Sequence, residues 1–356
     1  ASQGGDWRHT VVSLTGKGEM GASFEEAGIS VIALDMKSVF SGVSGLWRLR
    51  DILRSLEPDI VQTWMYHANF IGGIASKLAG TAPLIWGIRS SITDSLSIKR
   101  SIRVLVSAGA RLSRALPARI VVCAHAAAES HVQAGYPSEK MTVIPNGIDT
   151  VRFNDHSPRS AELRSSIGRG RDLPLLGMVA RFTPQKDHKN LFGALRVLAD
   201  RGEAFQCVLV GNAMDGANPQ LEVWIDDFDL RDRIVLMGPR NDLPEVMRAL
   251  DLHVLSSAVE GFPNVLAEAM ACGTPCVSTD AGDSRSIVSD TGWVVPKGDP
   301  VALSAAIQAA LTERRESPEV WQNRRLACRK HIQEEFSLQR MVDEYVRVWR
   351  ALVAIR

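Results

Sequence analysis

The sequence predicts an α/β protein of two doubly wound, Rossmann-like domains, each built around a parallel β-sheet. The chain has 356 residues, too many for one ordinary core, and 45% of them are hydrophobic, enough to fill two cores. Short β-branched runs alternate with helix-like stretches, which is the pattern of βαβ units. A turn signal near the middle of the chain separates two such series.

The first half contains five predicted strands, at 9–14, 29–34, 59–64, 83–88 and 119–124. Helix-like stretches such as 45–56 and 68–79 lie between them. We assign a first domain to residues 1–150. Little sequence precedes the first strand, so the strand, glycine-rich loop and helix that usually open such a domain, about 25 residues, are expected to be missing.

The second half contains five more predicted strands, at 174–179, 205–210, 233–237, 251–255 and 275–278. Proline and an Asn-Gly pair at 145–147 mark a turn, and place a hinge near 145–155. We assign a second domain to residues 151–335, facing the first across a central cleft at the carboxyl ends of the strands. Residues 336–356 form an amphipathic helix, which is expected to cross back to the first domain.

Composition and charge argue against several functional classes. Lys and Arg number 41 and Asp and Glu 40, so no overall field favours nucleic acid as a partner. The five cysteines favour reduced thiols over a disulfide framework, and Cys272 and Cys276 lack the further ligands of a zinc site. No apolar run approaches the roughly 18 residues of a membrane span, and no signal peptide opens the chain. The expected location is cytoplasmic, either free or peripheral at the inner face of the membrane.

The strongest chemical signal is a predicted strand, turn and helix that contains Glu260, the run Gly261, Phe262, Pro263 and Asn264, and then Glu268. Pro263 suits the first turn of a helix, so free N–H groups near 262–265 would offer the positive end of the helix dipole to an anion. Glu260 lies just before that helix and Glu268 two turns inside it. The two carboxylates are therefore placed to bind hydroxyl groups on two parts of one ligand, such as a sugar and a ribose. The alternative, a helix cap and a solvated side chain, fits less well because apolar residues flank Glu268.

A second signal follows the predicted strand that ends at Ala180. Arg181 and Lys186 lie five residues apart on the loop into the next helix. Such a loop can fold both side chains around a diphosphate, for which Arg supplies a planar fork and Lys a point charge. Their role would be to stabilise negative charge on a departing diphosphate. Considered singly, each would more often be an ordinary surface charge.

Together these motifs resemble those of the retaining glycosyltransferases of family 4, which have the GT-B fold. The segments Pro145–Asp149, Val208–Gly211 and Leu236–Arg240 also lie where that family has counterparts, so the resemblance covers essentially the whole chain. It implies transfer of a sugar from a nucleoside diphosphate sugar, most commonly a UDP-sugar, to a glycan or lipid-linked acceptor in polysaccharide or glycoconjugate synthesis. The resemblance further implies retention of configuration, with no metal and no other cofactor.

The resemblance also implies roles for single residues. Arg181 and Lys186 correspond to the clamp on the donor diphosphate, Glu260 to the residue that binds the donor sugar hydroxyls, and Glu268 to the ribose ligand. The backbone of Gly261, Phe262, Pro263 and Asn264 corresponds to the segment that contacts sugar and phosphate. The family usually holds the base of the donor at positions that correspond to Gly211, Asn212, Arg240 and Asn241.

The chain departs from the family pattern in its first half and in one later segment. Arg89 stands where many members have a His, Ser286 where a Glu is common, and the glycine-rich loop near the N-terminus is not present. These departures affect acceptor chemistry more than donor binding. His67, after a predicted strand, is the remaining candidate for acceptor or phosphate contact, and a structural role for it is equally well supported. The Asp227-Phe-Asp229 triplet follows a predicted helix and is interpreted as a loop cap, so no metal site is assigned.

Two other functions compete with glycosyl transfer. Gly16, Gly18 and Gly21 match the dinucleotide fingerprint, and Asp35 ends the next strand, as in an NAD-dependent oxidoreductase. The predicted helix between them, 22–27, is too short to bind a pyrophosphate at its N-terminus, which argues against that function. A non-catalytic subunit that binds a nucleotide sugar is the other alternative.

A basic stretch is the last feature of the first half. Residues 97–119 contain one lysine, five arginines and no acid, and apolar residues recur there at helical spacing. Such a helix can lie on an anionic membrane, which would suit a lipid-linked acceptor. A solvated helix with an apolar face toward the core is the other interpretation.

Overall fold

The chain folds into two units, each with its own parallel sheet, in a computed structural model that describes residues 7–36, 39–80, 82–92, 100–167 and 173–354. Unit 1 comprises Ala1–Pro145 together with Met341–Arg356, and unit 2 comprises Asn146–Arg340. The predicted α/β class with parallel sheets is confirmed. The chain leaves unit 1 a few residues before the sequence-based boundary at 150, and it re-enters unit 1 a few residues after the one at 336.

Strands and helices alternate through unit 1. Its strands are β1 Thr10–Ser13, β2 Ser30–Ala33, β3 Val61–Trp64, β4 Leu84–Ile88, β5 Arg119–Val122 and β6 Met141–Val143. Its helices are α1 Met20–Glu26, α2 Val39–Leu56, α3 Met65–Ala79, α4 Arg100–Leu112 and α5 His125–Gln133. β1 pairs with β2, and β3 to β6 form a four-stranded sheet in sequence order. β6 has only three residues, too few to show the period that identifies a strand from sequence.

One hydrophobic cluster joins the two sheets of unit 1. Leu34 follows β2, Leu49 and Leu53 lie on α2, and Ala75 lies on α3; all four are buried, and Val61 of β3 packs against them. The cluster therefore connects β1–β2 to the four-stranded sheet through side chains.

The C-terminal helix α14, Leu338–Val353, packs one face into unit 1. Tyr345 and Leu352 are buried with Ile85, Val121 and Ile144, and the partly buried Met341 and Val348 pack against the same cluster. Their spacing of three and four residues is that of one helix face. The amphipathic pattern of the sequence thus corresponds to burial in the structure.

Unit 2 is a six-stranded parallel sheet. Its strands are β7 Leu175–Val179, β8 Gln206–Val210, β9 Ile234–Gly238, β10 Leu252–Leu255, β11 Cys276–Thr279 and β12 Trp293–Val295. Its helices are α6 Pro158–Ile167, α7 His188–Asp200, α8 Pro219–Asp227, α9 Leu243–Ala249, α10 Asn264–Ala271, α11 Ser284–Val288, α12 Pro300–Glu316 and α13 Pro318–Glu335. The three-residue β12 is absent from the sequence-based assignment for the same reason as β6.

The strand order of unit 2 is β12-β11-β10-β7-β8-β9, so β7 and β10 are neighbours although distant in sequence. From β7 the chain proceeds outward through β8 and β9, and then returns to β10 on the other side. The boundary between β7 and β10 is therefore the topological switch point, where a crevice opens beyond the carboxyl ends of the strands. Both chemical motifs of the second half follow these two strands.

Candidate active site

The loop after β7 is fixed by backbone hydrogen bonds to the loop after β8. The Phe182 N–H donates to the Asn212 carbonyl over 3.0 Å, and the Ala180 N–H donates to Val210 over 2.9 Å. Gly211 adopts a φ of +140°, and a Cβ there would lie 2.0 Å from the Ala180 carbonyl oxygen. Only glycine permits this approach, so Gly211 holds the two loops together.

The second part of the same loop positions Lys186. Residues Pro184–Lys186 form a single 3-10 turn, and Asp187 in the left-handed region then accepts a hydrogen bond from the Asn190 N–H at the start of α7. The Ala258 N–H donates to the Gln185 carbonyl over 2.9 Å, and the Ser256 hydroxyl donates to the Lys186 carbonyl over 3.0 Å. The β7 loop is therefore joined to the β10 loop by hydrogen bonds as well as by the adjacent strands.

Lys186 and Glu260 form an ion pair at the switch point. Lys186 Nζ donates to Glu260 Oε1 over 2.5 Å, and the two side chains are only 17% and 11% exposed. The Ser257 hydroxyl donates to the same Oε1 over 2.7 Å. Within the described ranges, Glu260 Oε2 has no hydrogen-bond partner, so one oxygen of this carboxylate is anchored and the other is available.

Arg181 lies at the carboxyl end of β7 but is arranged differently. Its side chain is exposed, and no carboxylate in the described part of the chain lies within 4.0 Å of its guanidinium. The next residue, Phe182, packs its ring against His188, with the ring centroids 5.0 Å apart. Arg181 is therefore a free cation on a loop that is fixed at both ends.

The β10–α10 turn presents backbone rather than side chains. The Phe262 ring is buried against Phe336, with centroids 5.5 Å apart, so only its backbone can face a ligand. The Gly261 carbonyl accepts a hydrogen bond from the Asp283 N–H over 2.9 Å. α10 begins at Asn264, with Pro263 at its N-cap rather than in its first turn as the sequence suggested. The N-terminus of α10 still follows Glu260, so the positive end of the helix dipole remains next to this carboxylate.

Glu268 is the fifth residue of α10, so it lies about one turn inside the helix and not two, as the sequence suggested. The difference follows from the later start of the helix. The side chain is half-buried, and burial raises the pKa of its carboxyl group, an effect that the charge of Arg152 opposes. Among the residues described, no group donates a hydrogen bond to the Glu268 carboxylate, so this carboxylate is free to accept one.

The candidates for base contact lie at the ends of β8 and β9. Asn212 and Asn241 are exposed. Arg240 is committed to a bidentate pair with Asp242, over 2.7 and 2.5 Å, and this hydrogen-bonded guanidinium lowers the pKa of Asp242. The Asp242 carboxylate therefore already neutralises Arg240, one of the four candidates for base contact.

Two residues noted in the first half of the sequence lie in unit 1: the candidate His67, and Arg89, which departs from the family pattern. His67 is exposed near the start of α3, and Arg89 follows β4. Asp227 and Asp229 lie in unit 2, at and just after the end of α8, and Asp229 pairs with Arg196 over 2.7 Å. Gly21 lies in α1, which begins at Met20 and has seven residues, about two turns.

Two further residues of the donor-side cluster are not obvious from sequence. Ser257 bonds Glu260, and buried His188 packs beside the Lys186 loop, where burial and the lysine charge lower the pKa of its imidazole to about 4. A serine three residues before a glutamate is too common to stand out. His188 could have been noted because it opens the helix immediately after Lys186 and Asp187.

Comparisons with known proteins agree with this arrangement. The sequence profile described as "Glycosyltransferase Family 4" matches residues 4–152, and the one described as "Glycosyl transferases group 1" matches residues 160–326. A relative from Escherichia coli, UDP-Gal:alpha-D-GlcNAc-diphosphoundecaprenol alpha-1,3-galactosyltransferase, is 26% identical over 318 residues, which cover 87% of this chain and 78% of that protein. The lipopolysaccharide core biosynthesis mannosyltransferase LpsB from Rhizobium meliloti is 29% identical over 188 residues, 51% of this chain and 53% of that protein. The chain thus spans about half the length of some of the relatives it matches.

Solved structures show the same fold. HepE from Anabaena, in complex with UDP, superposes with a TM-score of 0.83 at 22% identity, covering 96% of this chain and 92% of that one. A glycosyltransferase from Rickettsia africae gives a TM-score of 0.82 at 17% identity, covering 97% and 90%.

Proposed function

The chain belongs to the GT-B glycosyltransferases of family 4, and we propose that it transfers a hexosyl group from a UDP-sugar to a glycan or lipid-linked acceptor with retention of configuration. The Lys186–Glu260 pair at the switch point of unit 2 carries this proposal. It combines a cation suited to a diphosphate with a carboxylate that has an oxygen free for a sugar hydroxyl.

The donor diphosphate would bind between the two loops of the switch point. Lys186 and the free guanidinium of Arg181 supply two positive charges, and the N-terminus of α10 adds backbone N–H groups. Negative charge grows on the diphosphate as the glycosidic bond breaks, so these groups bind the transition state more tightly than the ground state. No protein nucleophile is needed if the departing phosphate oxygen accepts the acceptor proton on the same face, and no metal is required in this scheme.

The two carboxylates would orient the rest of the donor. Glu260 Oε2 would accept a hydrogen bond from a hydroxyl of the transferred sugar, while Oε1 remains bound to Lys186 and Ser257. Glu268, one turn into α10, would accept from the ribose hydroxyls. Asn212 and Asn241, exposed at the ends of β8 and β9, would contact the base. The choice of uridine is supported by HepE, whose structure is a complex with UDP, and by the galactosyltransferase relative, which is named for UDP-Gal.

The acceptor side of the proposal rests on the basic stretch 97–119. In the described part of the chain, no helix is long and apolar enough to span a membrane. The basic stretch 97–119 begins outside the described residues, at 97–99; in its described part, Arg103, Arg111 and Val104 are exposed on α4. This combination of cations and an exposed aliphatic side chain supports peripheral binding to an anionic inner membrane surface, where a lipid-linked acceptor would be available.

Two measurements test the proposal. Purified protein is incubated with UDP-glucose, UDP-galactose and their N-acetyl forms, and both UDP release and product anomer are followed. Turnover that Glu260→Ala and Lys186→Ala abolish, with unchanged circular dichroism, is the expected result. Tight UDP binding without turnover for any donor or acceptor would instead favour the non-catalytic subunit.

A further inference from the structure

Arg89 occupies an unusual position at the carboxyl end of β4 in unit 1. It is half-buried, its guanidinium lies 5.5 Å from the centroid of the Trp64 ring, and it donates to the Tyr345 hydroxyl over 3.3 Å. Tyr345 is buried in the hydrophobic cluster beneath and carries no charge to offset the guanidinium. No carboxylate of the described residues pairs with Arg89. A cation in this setting retains most of its capacity to bind an anion.

Trp64 is the second component, at the end of the neighbouring strand β3. It is 45% exposed, a large fraction for an indole at the end of a partly buried strand. Gly87, its register partner on β4, leaves the necessary space, because a Cβ there would lie 2.7 Å from the indole Cε3. The tilted Tyr345 ring lies 5.8 Å away. Trp64 is therefore an exposed ring held in a defined orientation by its neighbours.

The backbone directly after Trp64 is strained. Met65 has a φ of +69°, in the left-handed region that residues other than glycine rarely adopt, and α3 begins there. Backbone strain of this kind persists only where the surrounding structure holds it, and it clusters at functional sites. Here it turns the chain sharply into α3 while the indole stays over β4.

We infer that Trp64 and Arg89 form an acceptor subsite for a sugar that carries a phosphate or diphosphate. The exposed indole offers a flat apolar surface for one face of a sugar ring, and the adjacent guanidinium offers paired N–H donors to a phosphate linked to that ring. The inference rests on the proposed function and specifies its acceptor, an anionic glycosyl phosphate rather than a neutral glycan. It also gives Arg89 a role at the position where the sequence departs from its family.

A phosphate near Arg89 could also belong to the donor, and a binding experiment separates the two sources. The probes are a phenoxyalkyl diphosphate N-acetylglucosamine, the matching neutral phenoxyalkyl glycoside, and UDP. The affinity of each is measured by calorimetry for wild type, Arg89→Gln, Arg89→Lys and Trp64→Ala. The matched control is Arg54→Gln, an exposed arginine on α2 of the same unit whose guanidinium donates to the Leu78 carbonyl.

The two side chains should give different patterns. Arg89→Gln is expected to lower the affinity for the diphosphate sugar on the order of 10- to 100-fold, the loss typical of one charge-assisted hydrogen-bonded pair. The affinities for UDP and for the neutral glycoside should not change. Arg89→Lys should recover part of that loss. Trp64→Ala should weaken the binding of both sugars, because it removes the stacking surface, and Arg54→Gln should weaken the binding of neither.

Several outcomes would overturn the inference. They are equal affinity of the wild type for charged and neutral sugars, a loss of UDP affinity in Arg89→Gln, or an equal loss in the Arg54 control. Because the readout is binding, it decides the question even if no donor gives turnover. Absence of UDP binding or turnover in the wild type would instead contradict the proposed function, independently of this result.

Discussion

The Lys186–Glu260 pair provides a sharp test of the site, because the same contact is predicted to serve both stability and catalysis. The two side chains are 17% and 11% exposed, so the ion pair is largely but not fully withdrawn from water. Removing one partner from a fully buried pair costs about 3–5 kcal/mol, since the other charge is left uncompensated. Residual solvent access reduces this, and we expect about 2 kcal/mol for Lys186→Met alone.

Glu260→Gln should cost less than Lys186→Met. The flexible side chain of Lys186 can turn its ammonium toward solvent, whereas the Glu260 carboxylate is held in place by the Ser257 hydroxyl. The double variant, Lys186→Met with Glu260→Gln, should regain most of the stability lost by Lys186→Met, because no unpaired charge remains. The expected coupling energy is about 1–2 kcal/mol, which corresponds to about 2–8 °C in melting temperature for a domain of this size.

Catalytic activity, unlike stability, should not recover in the double variant. Each single variant is expected to lower kcat by about 100- to 1000-fold, the usual effect of removing one group that stabilises developing charge, and the double variant should not recover. Chemical denaturation gives the stability cycle, and UDP release gives the activity cycle. Additive stability losses, with no coupling between the two substitutions, would refute the assignment of this contact as a buried ion pair.

Three further predictions concern other parts of unit 2. Gly211→Ala should lower the melting temperature sharply or prevent folding, because its Cβ would lie 2.0 Å from a carbonyl oxygen. Gly202 also has a positive φ but open space at its Cβ, so Gly202→Ala should cost only the backbone strain, about 1–2 kcal/mol; similar losses in both would contradict the packing argument. Glu268→Gln should lower the affinity for UDP about 10-fold. It should leave the stability at pH 8 equal or higher, because burial raises the pKa of this carboxyl group and its ionised form costs stability above that pKa. A large loss of stability would be evidence against this account. Burial, together with the charge of Lys186, lowers the pKa of fully buried His253 to about 3, below the unfolded value of 6.5, so the stability it contributes is complete above 6.5 and is lost as the pH falls toward 3. His253→Leu should therefore remove about 2 kcal/mol of the stability lost between pH 7 and pH 5, measured by urea unfolding at both values; an unchanged loss would contradict this.

The fold and the central pair were largely predictable from sequence, and the reason is periodicity. The strands before Arg181 and Glu260 are short runs that are apolar apart from His253, with loops at their carboxyl ends, so their type and direction follow from the sequence. That the two strands are neighbours does not follow, because any order of parallel strands would give the same runs. The contact between Lys186 and Glu260 therefore depended on the family resemblance until the sheet order was known.

The less accurate parts of the prediction concern interactions with distant or competing partners. Phe262 lies inside the strongest motif, yet its ring is buried against Phe336, which arrives from far along the chain. Arg240 was a candidate for base contact by family resemblance, and its bidentate pair with Asp242 could not be predicted because it depends on the local backbone bend and not on the residue types alone. In both cases the sequence identified a segment correctly, and tertiary structure decided which atoms of it remain available.

Lys186 and Arg181 differ in their ion-pair partners, and this difference predicts the order in which they act at the donor site. Lys186 is already bound to Glu260 Oε1, so an arriving diphosphate must share this lysine with the carboxylate, whereas Arg181 has no carboxylate partner in the described chain. Arg181 should therefore contribute most to initial capture, which depends on an available charge, and Lys186 most to the later step, when growing negative charge on the leaving group draws the ammonium away from Glu260. As that pull weakens the Lys186 contact, Glu260 becomes a stronger acceptor for the sugar hydroxyl at Oε2. On this argument Arg181→Gln should raise the donor KM with little change in kcat, and Lys186→Gln should lower kcat with little change in KM; the reverse division would mean that the ion pair opens on binding and not during bond cleavage.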